Sequence, residues 1–386
     1  MKQRLGFLSG SLRTSTRPAA TTTGARAHIL GTMRAFEMLG WEVEPFIIGD
    51  RMPRRWVTSG SGRGVRHRFS LALAADLMLP IVGFVNARWA WRKLGGRVDW
   101  VYERHNPFNA MGWTFKRHGV PWILEVNRDF LYEQMVLPGL ARRLEIRAYE
   151  KCDVIVCVSE TLKKIIVRET GITPAKVMVI PNAVDTAVFN PKTCEPKRVF
   201  DDFTVGYVGI LEPRQGLELL IEAISELRAE GSEISTVMVG DGTMRAALEG
   251  LARRLGIREH VAFVGRVRLE KVPRFIAGFD LGYSGQVLTG ERDMYHSPLK
   301  LYEYLAMAKP VVASGFEDAG RVVRDEETGF LFQAGDKEDL KRALRRAYGS
   351  RNRLVEMGSN ACKEVMSEHT WLARIREVIS AVEARA

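Results

Sequence analysis

Short apolar runs alternate with helical stretches along the first half of the sequence. The apolar runs have the length of buried strands, whereas residues 27–39 have the apolar spacing of a helix. The strand-like runs lie at residues 5–8, 43–48, 100–102, 122–126 and 154–158. Strands that alternate with helices favour a parallel sheet covered by helices.

The second half repeats the same alternation. Strand-like runs lie at residues 204–208, 236–239, 261–264 and 281–283, and helical stretches lie at residues 217–229 and 243–255. A polar, proline-bearing segment at residues 191–198 separates the halves, as is typical of a linker. The pattern therefore predicts two doubly wound α/β domains that meet near residue 195. We expect functional residues in the loops after strands, and an active site in a cleft between the domains.

Length and composition agree with two folded domains. The chain has 386 residues, of which 46% are hydrophobic and 27% are charged, as in ordinary globular proteins. The first eight residues lack the long apolar core of a secretory signal. The four cysteines show no Cys-x-x-Cys spacing and no nearby histidine cluster. We therefore expect a cytoplasmic protein without a zinc site or a disulfide framework.

The net charge of +11 is concentrated in one segment. Residues 51–97 contain ten lysines or arginines and one acidic residue, Asp76, interleaved with aromatic and aliphatic side chains. This mixture suits an anionic membrane surface. Asp76, Pro80, Asn86 and Arg88 interrupt the apolar part too often for a spanning helix. An apolar core with a solvated basic rim is the alternative, and nucleic acid is not expected because no binding motif accompanies the charge.

Residues 297–303 combine features that suit a nucleoside diphosphate. Ser297 is a good N-cap and Pro298 a good first helical residue, so a helix is predicted to begin there with free N–H groups that attract phosphate. Lys300 adds a positive charge, and the Glu303 carboxylate accepts hydrogen bonds from vicinal hydroxyls such as those of ribose. The alternative is an ordinary helix pair between Lys300 and Glu303.

With its neighbours, this segment resembles the donor-site signature of family-4 retaining glycosyltransferases, in the branch with a Ser-Pro-x-Lys-x-x-Glu motif. Further stretches resemble the other signatures of the family in the same order; they lie at residues 179–185, 189–191, 239–242, 261–267 and 327–331. The resemblance implies the GT-B fold, with two Rossmann-like domains facing across a cleft. It implies an acceptor-binding domain at residues 1–195, a nucleotide-sugar-binding domain at residues 196–370, and a helix at residues 371–386 that crosses back to the first domain. It also implies retention at the anomeric carbon and no metal or other cofactor.

The resemblance assigns donor contacts by position. Glu303 matches the glutamate that holds the donor ribose, and Lys300 lies in the same motif. The backbone of Ser297, Pro298 and Leu299 matches the part that approaches the phosphate and the sugar. The remaining donor-binding candidates lie in loops near the nucleotide or its diphosphate; they are Gly242, Arg266, Val267, Gly209, Gln215 and Gly24, the last at the predicted start of the first helix.

Several positions depart from the family pattern. Tyr295 stands where the first motif glutamate is expected, and Glu291 or Asp293 is a possible replacement. The loop after Gly209 has Ile210 and Gln215 in place of the usual arginine and lysine, so Arg214 is the candidate that stabilises the leaving diphosphate.

The first domain also departs from the pattern. Asn127 replaces a histidine that contacts the transferred sugar in many members of the family. Glu125, Asn127 and His105 are candidates for orienting donor or acceptor at the ends of two strands. A structural role is the alternative for His105.

The leading hypothesis is a retaining transfer from a nucleotide sugar, most often a UDP-sugar in this family, to an acceptor hydroxyl. The basic segment favours a lipid-linked or cell-surface glycan precursor, reached from the inner face of a membrane. A soluble small acceptor such as an antibiotic aglycone or aminocyclitol is the main alternative. Two further alternatives are a nucleotide-sugar epimerase of the same architecture and a non-catalytic relative that binds a nucleotide sugar. A dinucleotide oxidoreductase is disfavoured because no Gly-x-Gly-x-x-Gly follows the first strand.

Overall fold

In the computed structural model, the chain divides into two compact units. One comprises Met1–Pro181 together with Arg374–Ala386, and the other comprises Asn182–Ala373. The structure describes residues 2–12, 14–18, 20, 24–53, 69–108, 110–127, 137–288 and 294–385, with residues 69–76 described by their backbone alone.

The division between the units lies at Pro181 and Asn182, not near residue 195 as the sequence predicted. Long-range backbone pairing explains the difference. The Val184 N–H donates to the His369 carbonyl at 3.1 Å, and the Trp371 N–H donates to the Val184 carbonyl at 3.2 Å. The polar segment at residues 191–198 therefore belongs to the second unit, where Lys197 N–H donates to the Arg274 carbonyl.

The first unit contains a six-stranded parallel sheet in the order β2-β1-β3-β4-β5-β6. Its strands are β1 (Arg4–Ser9), β2 (Glu42–Ile47), β3 (Trp100–Arg104), β4 (Trp122–Val126), β5 (Val154–Cys157) and β6 (Val177–Val179). Its helices are α1 (Gly24–Met38), α2 (Phe69–Leu94), α3 (Gly112–Lys116), α4 (Pro138–Lys151) and α5 (Glu160–Thr170). β3 and β4 are almost wholly buried, as expected for central strands covered on both faces.

The second unit contains another six-stranded parallel sheet, in the order β12-β11-β10-β7-β8-β9. Its strands are β7 (Phe203–Val208), β8 (Ile234–Val239), β9 (Val261–Gly265), β10 (Leu281–Ser284), β11 (Val311–Ser314) and β12 (Gly329–Phe332). Its helices are α6 (Leu217–Ala229), α7 (Arg245–Arg254), α8 (Val272–Ala277), α9 (Leu299–Ala306), α10 (Glu317–Val322), α11 (Lys337–Gly349) and α12 (Leu354–Glu368). The last helix, α13 (Trp371–Glu383), begins in the second unit and continues into residues assigned to the first.

Two glycines bring the loops after β7 and β8 together. A Cβ atom on Gly240 would lie 1.8 Å from the Gly209 carbonyl oxygen, so a side chain does not fit at that position. Both residues have positive φ, 147° at Gly209 and 144° at Gly240, which favours glycine. The carboxyl ends of these adjacent strands therefore carry closely packed backbone loops, the place where open α/β sheets bind ligands.

Candidate functional site

The helix that carries the predicted donor motif begins one residue later than expected. Its first residue is Leu299, and Pro298 is the N-cap with φ −79° and ψ 115°. Ser297 does not cap the helix, because its hydroxyl accepts a hydrogen bond from the Asn182 N–H at 2.8 Å and donates to the buried Asp318 carboxylate. No side chain caps the first turn of α9, so its N–H groups are left for water or a ligand.

Lys300 lies in this first turn, among groups of the loop after β7. Its Nζ donates to the Gln215 Oε1 at 2.6 Å and lies 4.2 Å from the centre of the Tyr207 ring. Burial, helped by the nearby Arg214 guanidinium, lowers the pKa of Lys300 to about 7, against the opposing attraction of Glu303 and Glu212. A bound diphosphate beside this ammonium would favour its charged form.

Glu303 lies one turn further along α9 and is buried. Burial raises the pKa of Glu303 to about 7, although the charge of Lys300 opposes the rise. Within the part of the chain that the structure describes, no group donates a hydrogen bond to this carboxylate. Its oxygens are therefore available to hydroxyl donors such as those of a ribose, and the ribose contact stays a prediction.

The backbone of Gly209 lies beside Lys300. A Cβ atom at this position would lie 3.3 Å from the Lys300 Nζ and 2.8 Å from the Tyr207 hydroxyl. Glycine thus lets the start of the loop approach the ammonium group closely. Three of the predicted donor-binding residues, Gly209, Gln215 and Lys300, therefore lie side by side in the structure.

Arg214 lies in the 3₁₀ turn Pro213–Gln215, with its side chain partly exposed. Its Nη1 lies 3.2 Å from the His296 Nε2, and its Nε lies 3.4 Å from the Glu212 carboxylate. His296 was not predicted from the sequence, although its position directly before the Ser-Pro motif was a usable signal. The side chains of Arg214, His296 and Lys300 form a group of basic residues beside the start of α9.

The other predicted nucleotide contacts lie in the loops after β8 and β9. A Cβ atom on Gly242 would lie 2.2 Å from the Leu211 carbonyl oxygen, so glycine is needed for the loops to pack. The Arg266 Nε lies 4.0 Å from the Asp241 carboxylate, and the Arg266 side chain is exposed. Val267 follows β9 and is half-buried. The geometry places these residues at the same sheet edge as Gly209, and their contacts with a nucleotide stay predictions.

Glu125 in the first unit is not an open group at a strand end, contrary to the sequence-based expectation. It lies within β4, and its carboxylate is 3% exposed. Its Oε1 is hydrogen-bonded to the His28 Nε2 at 2.5 Å and accepts from the Tyr102 hydroxyl at 2.8 Å, while Arg104 lies 3.4 Å from Oε2. Burial alone would raise the pKa of Glu125, but these partners, His28 foremost, lower it to about 2.

The remaining predicted residues of the first unit lie at strand and helix ends. Asn127 follows β4, and its buried amide atoms have no hydrogen-bond partner among the described residues. His105 follows β3, and its Nε2 lies 3.2 Å from the Glu145 carboxylate, away from solvent. Gly24 begins α1, as predicted. The structure does not bring these residues into one hydrogen-bonded group, and Glu291 and Asp293 lie outside the described residues.

Helix α2 exposes an apolar face within the basic segment. Leu77, Met78, Ile81, Phe84, Val85 and Trp89 are exposed apolar residues of this helix. Arg88, Arg92 and Lys93 continue the exposed face towards the end of the helix, whereas Ala87, Ala90 and Leu94 are buried. We call the exposed residues 77–93 the α2 face. Among the helices that the structure describes, none is long and apolar enough to cross a membrane.

Two family models match the chain. The model described as Glycosyltransferase Family 4 matches residues 22–188. The model described as Glycosyl transferases group 1 matches residues 195–364. The two matches together extend over most of both units.

Several similar proteins are named for transfer to phosphatidylinositol or to phosphatidylinositol monomannoside. A subunit of phosphatidylinositol N-acetylglucosaminyltransferase from Arabidopsis thaliana is 36% identical over 120 residues, which are 31% of this chain and 26% of that protein. The human protein of that name is 34% identical over 58% of this chain and 46% of its own. A GDP-mannose-dependent alpha-(1-6)-phosphatidylinositol monomannoside mannosyltransferase from Mycolicibacterium smegmatis is 25% identical over 82% of this chain and 84% of its own. The match thus spans less than half the length of the Arabidopsis protein and of the human protein.

Solved structures share the fold at low sequence identity. Sucrose-phosphate synthase from Thermosynechococcus elongatus has a TM-score of 0.72 at 18% identity, over 100% of both chains. HepE from Anabaena, solved in complex with UDP and glucose, has a TM-score of 0.68 at 15% identity, over 99% of this chain and 100% of its own.

Proposed function

Because the chain belongs to family 4 of the glycosyltransferases and has the GT-B fold, we propose that it transfers a hexose from a UDP-sugar to a hydroxyl group of a lipid-linked glycan precursor. The transfer retains the configuration of the anomeric carbon. The observation that carries this proposal is the arrangement at the start of α9, where an uncapped helix end, the Lys300 ammonium and the buried Glu303 carboxylate lie together.

A nucleoside diphosphate matches this arrangement group by group. The diphosphate lies against the first N–H groups of α9, where the helix dipole favours negative charge, and accepts a hydrogen bond from Lys300. The ribose hydroxyls donate to Glu303, which lies one turn further along the helix. The loops that carry Gly242 and Arg266 lie at the same edge of the sheet and contact the base.

The same groups stabilise the leaving diphosphate. Transfer of the sugar leaves an additional negative charge on the terminal phosphate, and fixed cations and N–H groups lower the energy of the state in which that charge develops. Lys300 and Arg214 supply the cations, and α9 supplies the N–H groups. In this proposal no bound metal takes part in donor binding.

Two observations support a lipid-linked acceptor. The relatives named above act, by their names, on phosphatidylinositol or on phosphatidylinositol monomannoside. The α2 face presents apolar side chains beside Arg88, Arg92 and Lys93, as expected of a surface that lies on an anionic bilayer. We therefore place the protein peripherally on a membrane, with α2 as its contact.

A panel of UDP-, GDP-, ADP- and TDP-sugars in thermal-shift assays tests the donor site. A donor at a hundredfold above its dissociation constant stabilises the folded protein by about 2.7 kcal/mol, and we expect the largest shift with a UDP-sugar. Glu303→Ala should abolish the shift, whereas the matched control Glu356→Ala, at an exposed position of α12, should retain it. An unchanged shift in Glu303→Ala would contradict the placement of the ribose.

A further inference from the structure

A cavity of about 350 Å³ lies in the first unit, between α2, α3, α4 and the end of β3. Its α2 wall consists of Pro80, Gly83, Phe84 and Ala87, all without polar side-chain atoms. The α4 wall adds Leu144, Glu145 and Ala148. The lining from α2 and α4 is therefore mostly apolar, and it includes no residue of the group around the start of α9.

The rest of the lining contains polar side chains among apolar ones. His105 and Asn106, which follow β3, line the cavity together with Thr114 and Arg117 of the α3 region. The His105 Nε2 lies 3.2 Å from the carboxylate of Glu145, which also lines the cavity. The cavity therefore combines a mostly hydrocarbon lining with a few hydrogen-bonding groups, which suits a ligand of the same amphipathic character.

The backbone at the cavity is strained at one position. Phe108 lines the cavity and has φ 63°, in the left-handed region that bulky residues rarely adopt. Such strain persists only where the surroundings enforce it, and it concentrates at ligand sites.

The apolar wall of the cavity is continuous with the α2 face. Phe84 belongs to both, because it lines the cavity and is still 63% exposed. Ile81 and Val85, its neighbours on α2, are exposed beside it. A hydrocarbon chain that leaves a bilayer lying against α2 would thus enter the cavity without crossing a polar surface.

We propose that this cavity binds the hydrocarbon stem of a membrane lipid, with the polar end of the lipid towards His105, Asn106 and Arg117. The occupant is an amphipathic lipid of an anionic bilayer, because the α2 face beside the cavity combines apolar and cationic side chains. The inference rests on the proposed function in one respect, namely that this lipid is the carrier of the acceptor.

Alkyl maltosides of increasing chain length test the cavity directly. We expect saturable binding of n-decyl β-D-maltoside below its critical micelle concentration, measured by isothermal titration calorimetry. Each additional methylene that enters the cavity should tighten binding by about fourfold, so the n-hexyl and n-octyl compounds should bind progressively more weakly. Maltose should not bind.

Variants that fill the cavity provide the matched comparison. Ala87→Phe and Leu144→Phe place a ring in the cavity from α2 and from α4, whereas Val355→Phe adds the same ring at an exposed position of α12, in the other unit. We expect both filling variants to lose at least tenfold in decyl maltoside affinity and in kcat/KM for a lipid-linked acceptor, and Val355→Phe to lose neither. If one filling variant does not fold, as judged by circular dichroism, the other decides the result.

Two results would overturn the proposal. One is a wild-type protein without saturable decyl maltoside binding, and the other is a folded filling variant that binds decyl maltoside as tightly as the wild type. A different result would contradict the donor proposal. In that case the wild-type protein would show no thermal shift with any of the nucleotide sugars. The filling variants should keep the wild-type donor shift, since the cavity and α9 belong to different units.

Discussion

The ammonium group of Lys300 lies 2.6 Å from the side-chain oxygen of Gln215. Gln215 occupies the loop position where the family pattern leads one to expect a lysine. The cation missing from the loop is therefore replaced, at nearly the same place, by one from the first turn of α9. Loss of the family's basic pair in the sequence does not leave this part of the molecule without positive charge.

Lys300→Met should lower kcat/KM for sugar transfer by about a hundredfold, the usual effect of removing one group that stabilises developing charge. Steady-state kinetics with a saturating acceptor measure this loss. Lys164→Met, at an exposed position of α5 in the first unit, is the control and should leave the rate unchanged. A similar loss in both variants would contradict a specific role for Lys300.

Gln215→Lys should impair the enzyme, although it restores the family's residue. Two ammonium groups would then compete for one place, and like charges at this distance repel. The double variant Gln215→Lys with Lys300→Met removes the repulsion and should recover at least tenfold in kcat/KM over either single variant. A double-mutant cycle measures this coupling, and additive losses would contradict the exchange of roles.

Glu125→Gln should destabilise the protein in a pH-dependent manner. Because its partners lower the pKa of Glu125 from 4.5 to about 2, the carboxylate contributes stability above pH 4.5 and loses it as the pH falls towards 2. Removing one member of a buried ion pair costs about 3 kcal/mol. Urea denaturation should show this difference near neutral pH and a smaller one near pH 3.

The control for this measurement is Glu150→Gln, an exposed glutamate of α4. It should leave the free energy of unfolding unchanged at both pH values. A Glu125→Gln variant as stable as the wild type near neutral pH would mean that the contacts with His28, Tyr102 and Arg104 do not stabilise the fold.

Ile81→Asp and Val85→Asp should each reduce co-sedimentation with anionic liposomes, because both side chains belong to the exposed α2 face. Arg88→Gln and Arg92→Gln should each weaken binding about fivefold at low salt, since one cation near such a surface contributes about 1 kcal/mol. Lys164→Gln, an exposed cation of α5, is the control. Equal effects of all the cation variants would indicate attraction by net charge, without docking through α2.

Asn127→Ala should reduce activity without a loss of stability. Its amide atoms have no hydrogen-bond partner within the described part of the chain, so the alanine variant removes no side-chain hydrogen bond there. If Asn127 contacts the transferred sugar, kcat/KM should fall at least tenfold while the melting temperature stays within about 1 °C of the wild type. Full activity in this variant would exclude it from the sugar site.

Local sequence patterns predicted the elements well where the period was clear. The helical stretch at residues 217–229 is α6, and the apolar run at residues 122–126 is β4. The family resemblance also predicted the two-domain GT-B fold, since its motifs appear in order along the chain. The predictions of helices and strands succeed because the apolar period and the backbone preferences depend on residues that are close in sequence.

Contacts between distant residues decided the rest. Ser297 has the side chain of a helix cap, but its hydroxyl bonds to Asn182, 115 positions away, and α9 is left uncapped. Glu125 looked like an open polar residue, but His28, 97 positions away, holds it in the interior. The sequence by itself determined the elements with a clear apolar period, such as β4 and α6, and the family resemblance. Only the tertiary structure decided which polar groups form hydrogen bonds within the protein and which remain available to a ligand. The reason is that the hydrogen-bond partners of a side chain depend on proximity in space.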